Sequence, residues 1–203
     1  MPVKSDREYR AMTMAAVENE DMRVRGYATT FDDPYTLYED KEFVLKEIID
    51  RSALDGADFS DVIMQYDHEG RVYARTSNNT LTVEPDAHGL AMEANLSGTS
   101  LGRGLFEEIK GGYTTKMSWG FTVNREKDIW DREALADGRT LETRRIMSVR
   151  KVYDVSAVSL PANDATEISA RSIADGAIQR LAAERLKELE LRKRKMLMEE
   201  RLK

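Results

Sequence analysis

A hydroxyl, an imidazole and a carboxylate stand in three separate apolar segments of this chain. Ser118 lies within TTKMSWGFTVN (114–124), which alternates with a period of two. Met117, Trp119, Phe121 and Val123 fall on one face of an extended strand, and Lys116, Ser118, Gly120 and Thr122 on the other. His68 ends DVIMQYDH (61–68), where a single strand would set it in one inward row with Val62, Met64 and Tyr66. An imidazole so placed can be desolvated and held neutral, as a general base requires. Asp154 interrupts KVYDVSAVSL (151–160), on the face of Val152, Ser156, Val158 and Leu160. A carboxylate buried there needs an arginine, a backbone donor or a histidine, since burial without a partner costs several kcal/mol. Together the three are the parts of a hydrolytic triad, in which the acid orients the imidazole and the imidazole takes the serine proton. Each also has a plain structural reading: a serine on a half-buried strand, a satisfied structural histidine, and an ion pair with Arg144, Arg145 or Arg150. The other histidine, His88, falls in the turn PDAHGL and reads as a solvated loop residue.

The elements that must position these groups are mostly strands. RVRGYATTF (23–31), DVIMQYDH, RVYART (71–76), TLTVEP (80–85) and GLAMEANL (89–96) are short strands separated by turn signals such as SNN and PDAHG. FDDPYTLYED reads as a turn-rich loop, DRSALDGA (50–57) as a short helix, and the stretch from Arg125 to Val149 as an exposed hairpin or loop. TSLGRGLFEEIKGG (99–112) has helical apolar spacing at Leu101, Leu105, Phe106 and Ile109, with Thr99 or Ser100 as cap and two glycines as stop. Three parts are expected: residues 1–22 as a loosely held or edge segment, a core over 23–165, and a helical, charged tail over 166–203. The tail carries an apolar stripe at Ile178, Leu181, Ala182, Leu186 and Leu189, and a basic run from Arg192 to Lys195. It reads as a solvated helix, a weak coiled coil or a docking element.

Composition narrows the chemistry. The 203 residues include no cysteine, which excludes a disulfide framework, a thiolate nucleophile and Cys-based metal binding. Two distant histidines without matching acids make no zinc motif, and no cofactor is expected. The net charge of −6 argues against a general nucleic-acid binder. No apolar run reaches the roughly 18 residues of a spanning helix, so no membrane role is expected. KMSWG lacks the first glycine of a Gly-x-Ser-x-Gly elbow, which weighs against an esterase.

Six segments, in order, resemble the prohead (capsid maturation) serine proteases of tailed bacteriophages, whose fold is related to the herpesvirus assemblins. They are RVRGYATTFDD, EIIDRSALDGA, VIMQYDHEGRVYART, LTVEPDAHGLAMEANL, LFEEIKGGYTTKMSWGF and VYDVSAVSLPANDA. The resemblance implies a mainly β (α+β) fold, a barrel of mostly antiparallel strands with surrounding helices. It implies Ser118 as nucleophile, His68 as general base and then acid, and Asp154 as third member, where phage relatives usually carry Glu and the herpesvirus relatives a second histidine. The small second face of the serine strand, Gly120 included, would then let a peptide approach the hydroxyl. Trp119 replaces a commonly smaller residue and would reshape the cleft. The implied substrates are scaffolding segments, extensions of the major capsid protein and the protease itself, inside an assembling prohead in the host cytoplasm. Self-association is left open. The rival expectation is a catalytically silent scaffold or assembly protein of the same fold, which would not be expected to keep both Ser118 and His68.

Overall fold

Period-two alternation does produce strands along much of the chain, and a computed structural model describes residues 7–16, 21–159 and 164–201. In order these are β1 (Glu8–Ala16), β2 (Arg23–Thr30), β3 (Tyr35–Glu39), β4 (Phe43–Ile49), β5 (Ile63–Tyr66), β6 (Glu69–Arg75), β7 (Leu81–Pro85) and β8 (Gly89–Asn95). Helix α1 (Ser100–Lys110) precedes β9 (Lys116–Val123), β10 (Ile129–Ala134), β11 (Thr140–Ile146) and β12 (Val149–Val158), and α2 (Asp164–Arg201) follows. Eight strands run β6-β5-β12-β9-β1-β2-β8-β7, and four run β10-β11-β4-β3. The expected mainly β class holds. The hydrogen-bonded order is two open series of strands.

The N-terminal segment is the main correction. β1 is an interior strand, not an edge: its residues 8–13 pair with β9 and residues 14–16 with β2. Its sequence looks polar because Glu8 and Arg10 are buried as an ion pair, which alternation of hydrophobicity cannot reveal. Residues 1–6 and 17–20 of that segment lie outside the described residues, as do Pro161 and its neighbours 160–163.

Other differences are local. Residues 51–56 form successive turns rather than a helix, closed by bonds from Ala53 N to Asp50 O (2.9 Å) and Asp55 N to Ser52 O (3.0 Å). The supposed loop after Asp33 contains β3, hairpinned to β4. β10 is exposed throughout, as expected of a hairpin arm, but β11 pairs in parallel with β4 and buries Leu141, Glu142, Arg144 and Ile146.

Helix α1 starts where its cap predicts, with Thr99 Oγ1 accepting from Gly102 N at 2.9 Å. Leu105, Phe106 and Ile109 are buried, whereas Leu101 faces solvent. Met117, Trp119, Phe121 and Val123 join Val62, Met64, Val152 and Val155 in one core. The near half of α2 covers the small sheet, packing Ala174, Ala177, Ile178 and Leu181 around Phe43 and Leu45. Beyond it Leu186 and Leu189, the rest of the expected stripe, are exposed, and so is the basic run. Among the described residues no helix is long and apolar enough to cross a membrane.

Candidate active site

β9 supplies the serine. Its neighbours are β12 on one side and β1 on the other, with Ser118 opposite Ser156 and Ala11, and Gly120 opposite Asp154 and Tyr9. Residues directly opposite across an antiparallel pair share a face, so Ser118, Gly120, Asp154, Ser156 and Tyr9 lie together on the side away from Trp119 and Phe121.

Asp154 reaches that face through an irregularity. The register of β12 on β9 shifts between Val152 and Asp154, so that Val152 stands opposite the core residue Phe121 while Asp154 stands opposite Gly120. The simple alternation that put Val152 and Asp154 on one face therefore fails at this step, and the bulge re-aims the carboxylate.

The histidine arrives by a turn rather than a strand. β5 ends at Tyr66, which pairs with Glu69, and the two residues between have φ of 47° (Asp67) and 60° (His68). This is the left-handed pair that tight hairpins demand, and Asp and His tolerate it better than most residues. Left-handed backbone at two such residues costs on the order of 1–3 kcal/mol each. Bonds to the end of β12 offset it: Asp67 N donates to Ala157 O (2.8 Å), and Ser159 donates from N to Asp67 Oδ1 (2.9 Å) and from Oγ to Oδ2 (2.9 Å). His68 is 4% exposed although it sits in a turn.

The result is a contact between His68 Nδ1 and Asp154 Oδ1 of 2.5 Å. With the carboxylate ionised, Nδ1 donates and Nε2 is the basic nitrogen of the neutral ring. Asp154 thus takes the histidine and none of the arginines considered for it. Arg144 pairs with Glu8, Glu47 and Asp128, and Arg145 with Asp32 and Asp50. Ser118 is 2% exposed and its Oγ has no hydrogen-bond partner among the described residues. His88 is exposed in its turn, edge-on to Tyr27.

Three neighbours of the site, Tyr9, Arg7 and Ser156, escaped the sequence. Tyr9 meets the His68 ring edge-on at 4.3 Å between centroids, and burial together with the Asp154 charge raises its phenol pKa. Arg7 lies over the Tyr153 ring at 3.7 Å, with Nη1 4.0 Å from Asp154 Oδ2. Ser156 Oγ donates to Asp154 Oδ1 at 2.8 Å. Gly120 is required to be small by its neighbours: a Cβ there would stand 2.5 Å from Asp154 Oδ2 and 2.9 Å from Tyr9 Cε1. Trp119 does not shape this face, since it is fully buried in the core and stacked on Phe121 at 3.9 Å. Only the acid–Val–Ser order of β12 hinted at any of these.

Among the described residues no cluster of His, Asp and Glu is arranged to hold a metal ion. No curated protein and no solved structure matches the chain. The sequence pattern of the family described as caudovirus prohead serine protease matches residues 10–178, past both ends of the core expected at 23–165. A match over that much of the chain makes this chain a member of the caudovirus prohead serine protease family.

Proposed function

We propose that this protein is the maturation endopeptidase of a phage or prophage, with Ser118 as nucleophile, His68 as general base and then acid, and Asp154 as the group that orients and charges the imidazole. The observation that carries the reading is the buried His68–Asp154 contact of 2.5 Å, on the face that also holds Ser118. In the reaction, His68 Nε2 takes the Ser118 proton as Oγ attacks the scissile carbonyl, then gives it to the leaving amine. Water enters by the same base and releases the acyl group. Asp154 accepts from Nδ1 and favours the imidazolium. Because Ser118 Oγ is covered, a peptide reaches it only once the groups above this face have moved aside.

The substrates on this reading are scaffolding segments, extensions of the major capsid protein and the protease itself. Family membership supports that class, and on this reading the work is done in the prohead within the host cytoplasm. The protease unit would be the 23–165 core with β1 added, in the barrel arrangement related to the assemblins, and the helix beyond it a separate docking element.

Intact mass over time, for the wild type and Ser118→Ala beside the neighbouring scaffold and capsid proteins, tests it. Trimming by the wild type alone supports the protease. Two whole proteins that still bind scaffold support a silent assembly protein instead.

A further inference from the structure

We infer that Ser156 is a positioning residue of this reaction, whose hydroxyl aims the Asp154 carboxylate at His68 and tempers the charge the imidazole meets. The inference rests on the triad reading above.

Ser156 is fully buried, between Val155 and Ala157, where an alanine would fill a strand position as well. What the hydroxyl adds is one bond, from Oγ to Asp154 Oδ1 at 2.8 Å. The same oxygen takes His68 Nδ1 at 2.5 Å. Two donors converging on Oδ1 fix the carboxylate's rotation, because turning it would break both. The other oxygen, Oδ2, lies against Gly120 and 4.0 Å from Arg7. Ser156 also stands directly opposite Ser118, so the face carries two hydroxyls. The proton of Ser156 is committed to Asp154, whereas Ser118 Oγ is uncommitted, which separates the support from the nucleophile.

A donor to a carboxylate stabilises its charged form and lowers its basicity. Without the Ser156 hydroxyl more of the carboxylate's charge is left to act on the imidazolium, which moves the acid side of the reaction's pH profile upward. The other titratable and charged groups facing the pair, Tyr9 on β1 and Arg7 just before it, are unchanged by the substitution.

The test is the rate at which a fluorophosphonate labels Ser118 in the full-length protein, followed by intact mass across pH. Ser156→Ala should lower the plateau rate about 10- to 100-fold, the worth of a hydrogen bond to a charged group. It should also move the acid limb to higher pH, with the melting temperature little changed. Ser156→Cys keeps the volume and weakens the donor, and should fall between the two in both measures. A Ser156→Ala profile that matches the wild type, or a lowered melting temperature with the acid limb unmoved, overturns the role of Ser156 alone. A wild type that does not label at Ser118 overturns the triad, and this inference with it.

Discussion

β1 presents two buried polar regions to its two faces, and they are organised in opposite ways. On one face Glu8 and Arg10 enter an ionic network with Glu47 of β4 and Arg144 of β11. Arg10 Nε bonds Glu47 Oε1 at 2.6 Å, Arg144 Nη1 bonds Glu8 Oε2 at 2.7 Å, and Tyr35 donates to Glu47 Oε1 at 2.6 Å. Each carboxylate oxygen of Glu8 and Glu47 has at least two donors. On the other face Tyr9 meets His68 edge-on beside Asp154, where two donors crowd onto one carboxylate oxygen and, among the described residues, the Ser118 hydroxyl has no partner. Saturated pairing makes the first region a joint between the sheets. The second is left incompletely paired at Ser118 among the described residues, which suits the proposed proton transfer.

The widest test of that contrast is Ser118→Ala. It should abolish cleavage by several orders of magnitude while leaving the melting temperature in place, since no hydrogen bond is lost. Arg144→Ala should do the reverse. Stranding Glu8, Glu47 and Asp128 without this cation should cost about 3–5 kcal/mol of stability, read from the denaturant midpoint.

Acid probes the same joint without mutation. Burial opposes ionisation of Glu8, but Arg10, with Arg144 and Arg125, overcomes it and lowers its pKa from the ordinary 4.5 to about 2. A carboxylate whose pKa is depressed by folding contributes stability above its unfolded value and loses it as pH falls through the folded one. The melting temperature should therefore drop between pH 4.5 and about 2, and Glu8→Gln should flatten that part of the curve at a lower starting value.

Smaller effects sharpen the catalytic side. Gly120→Ala would push Asp154 off its line to His68 and should slow Ser118 labelling about 100-fold, the scale for misplacing a catalytic group by an ångström. Asp67→Ala breaks both Ser159 bonds to the carboxylate that hold the histidine turn and should slow labelling about tenfold, the low end for hydrogen bonding to a charged group. At the bottom of the scale, Leu186→Ser and Leu189→Ser on the far half of α2 should leave stability within about 0.5 kcal/mol, because both side chains are exposed.

The β class and the capped helix before the serine strand are legible in the amino-acid order alone, as are the three residues proposed for catalysis. Those features leave local marks: period-two alternation around Ser118, a Thr cap ahead of an apolar helical face, and an acid set in an apolar run. Tertiary structure alone decided the rest. β1 was illegible because its buried charges are apolar-compatible only when Glu47 and Arg144, from strands far along the chain, arrive to pair with them. The bulge that turns Asp154 away from Val152's face, and the left-handed turn that carries His68 inward, are backbone geometries with no side-chain periodicity to announce them. Tyr9, Ser156 and Gly120 matter through what stands across from them. Opposition across a sheet is set by which strands pair, a long-range choice that no single segment contains.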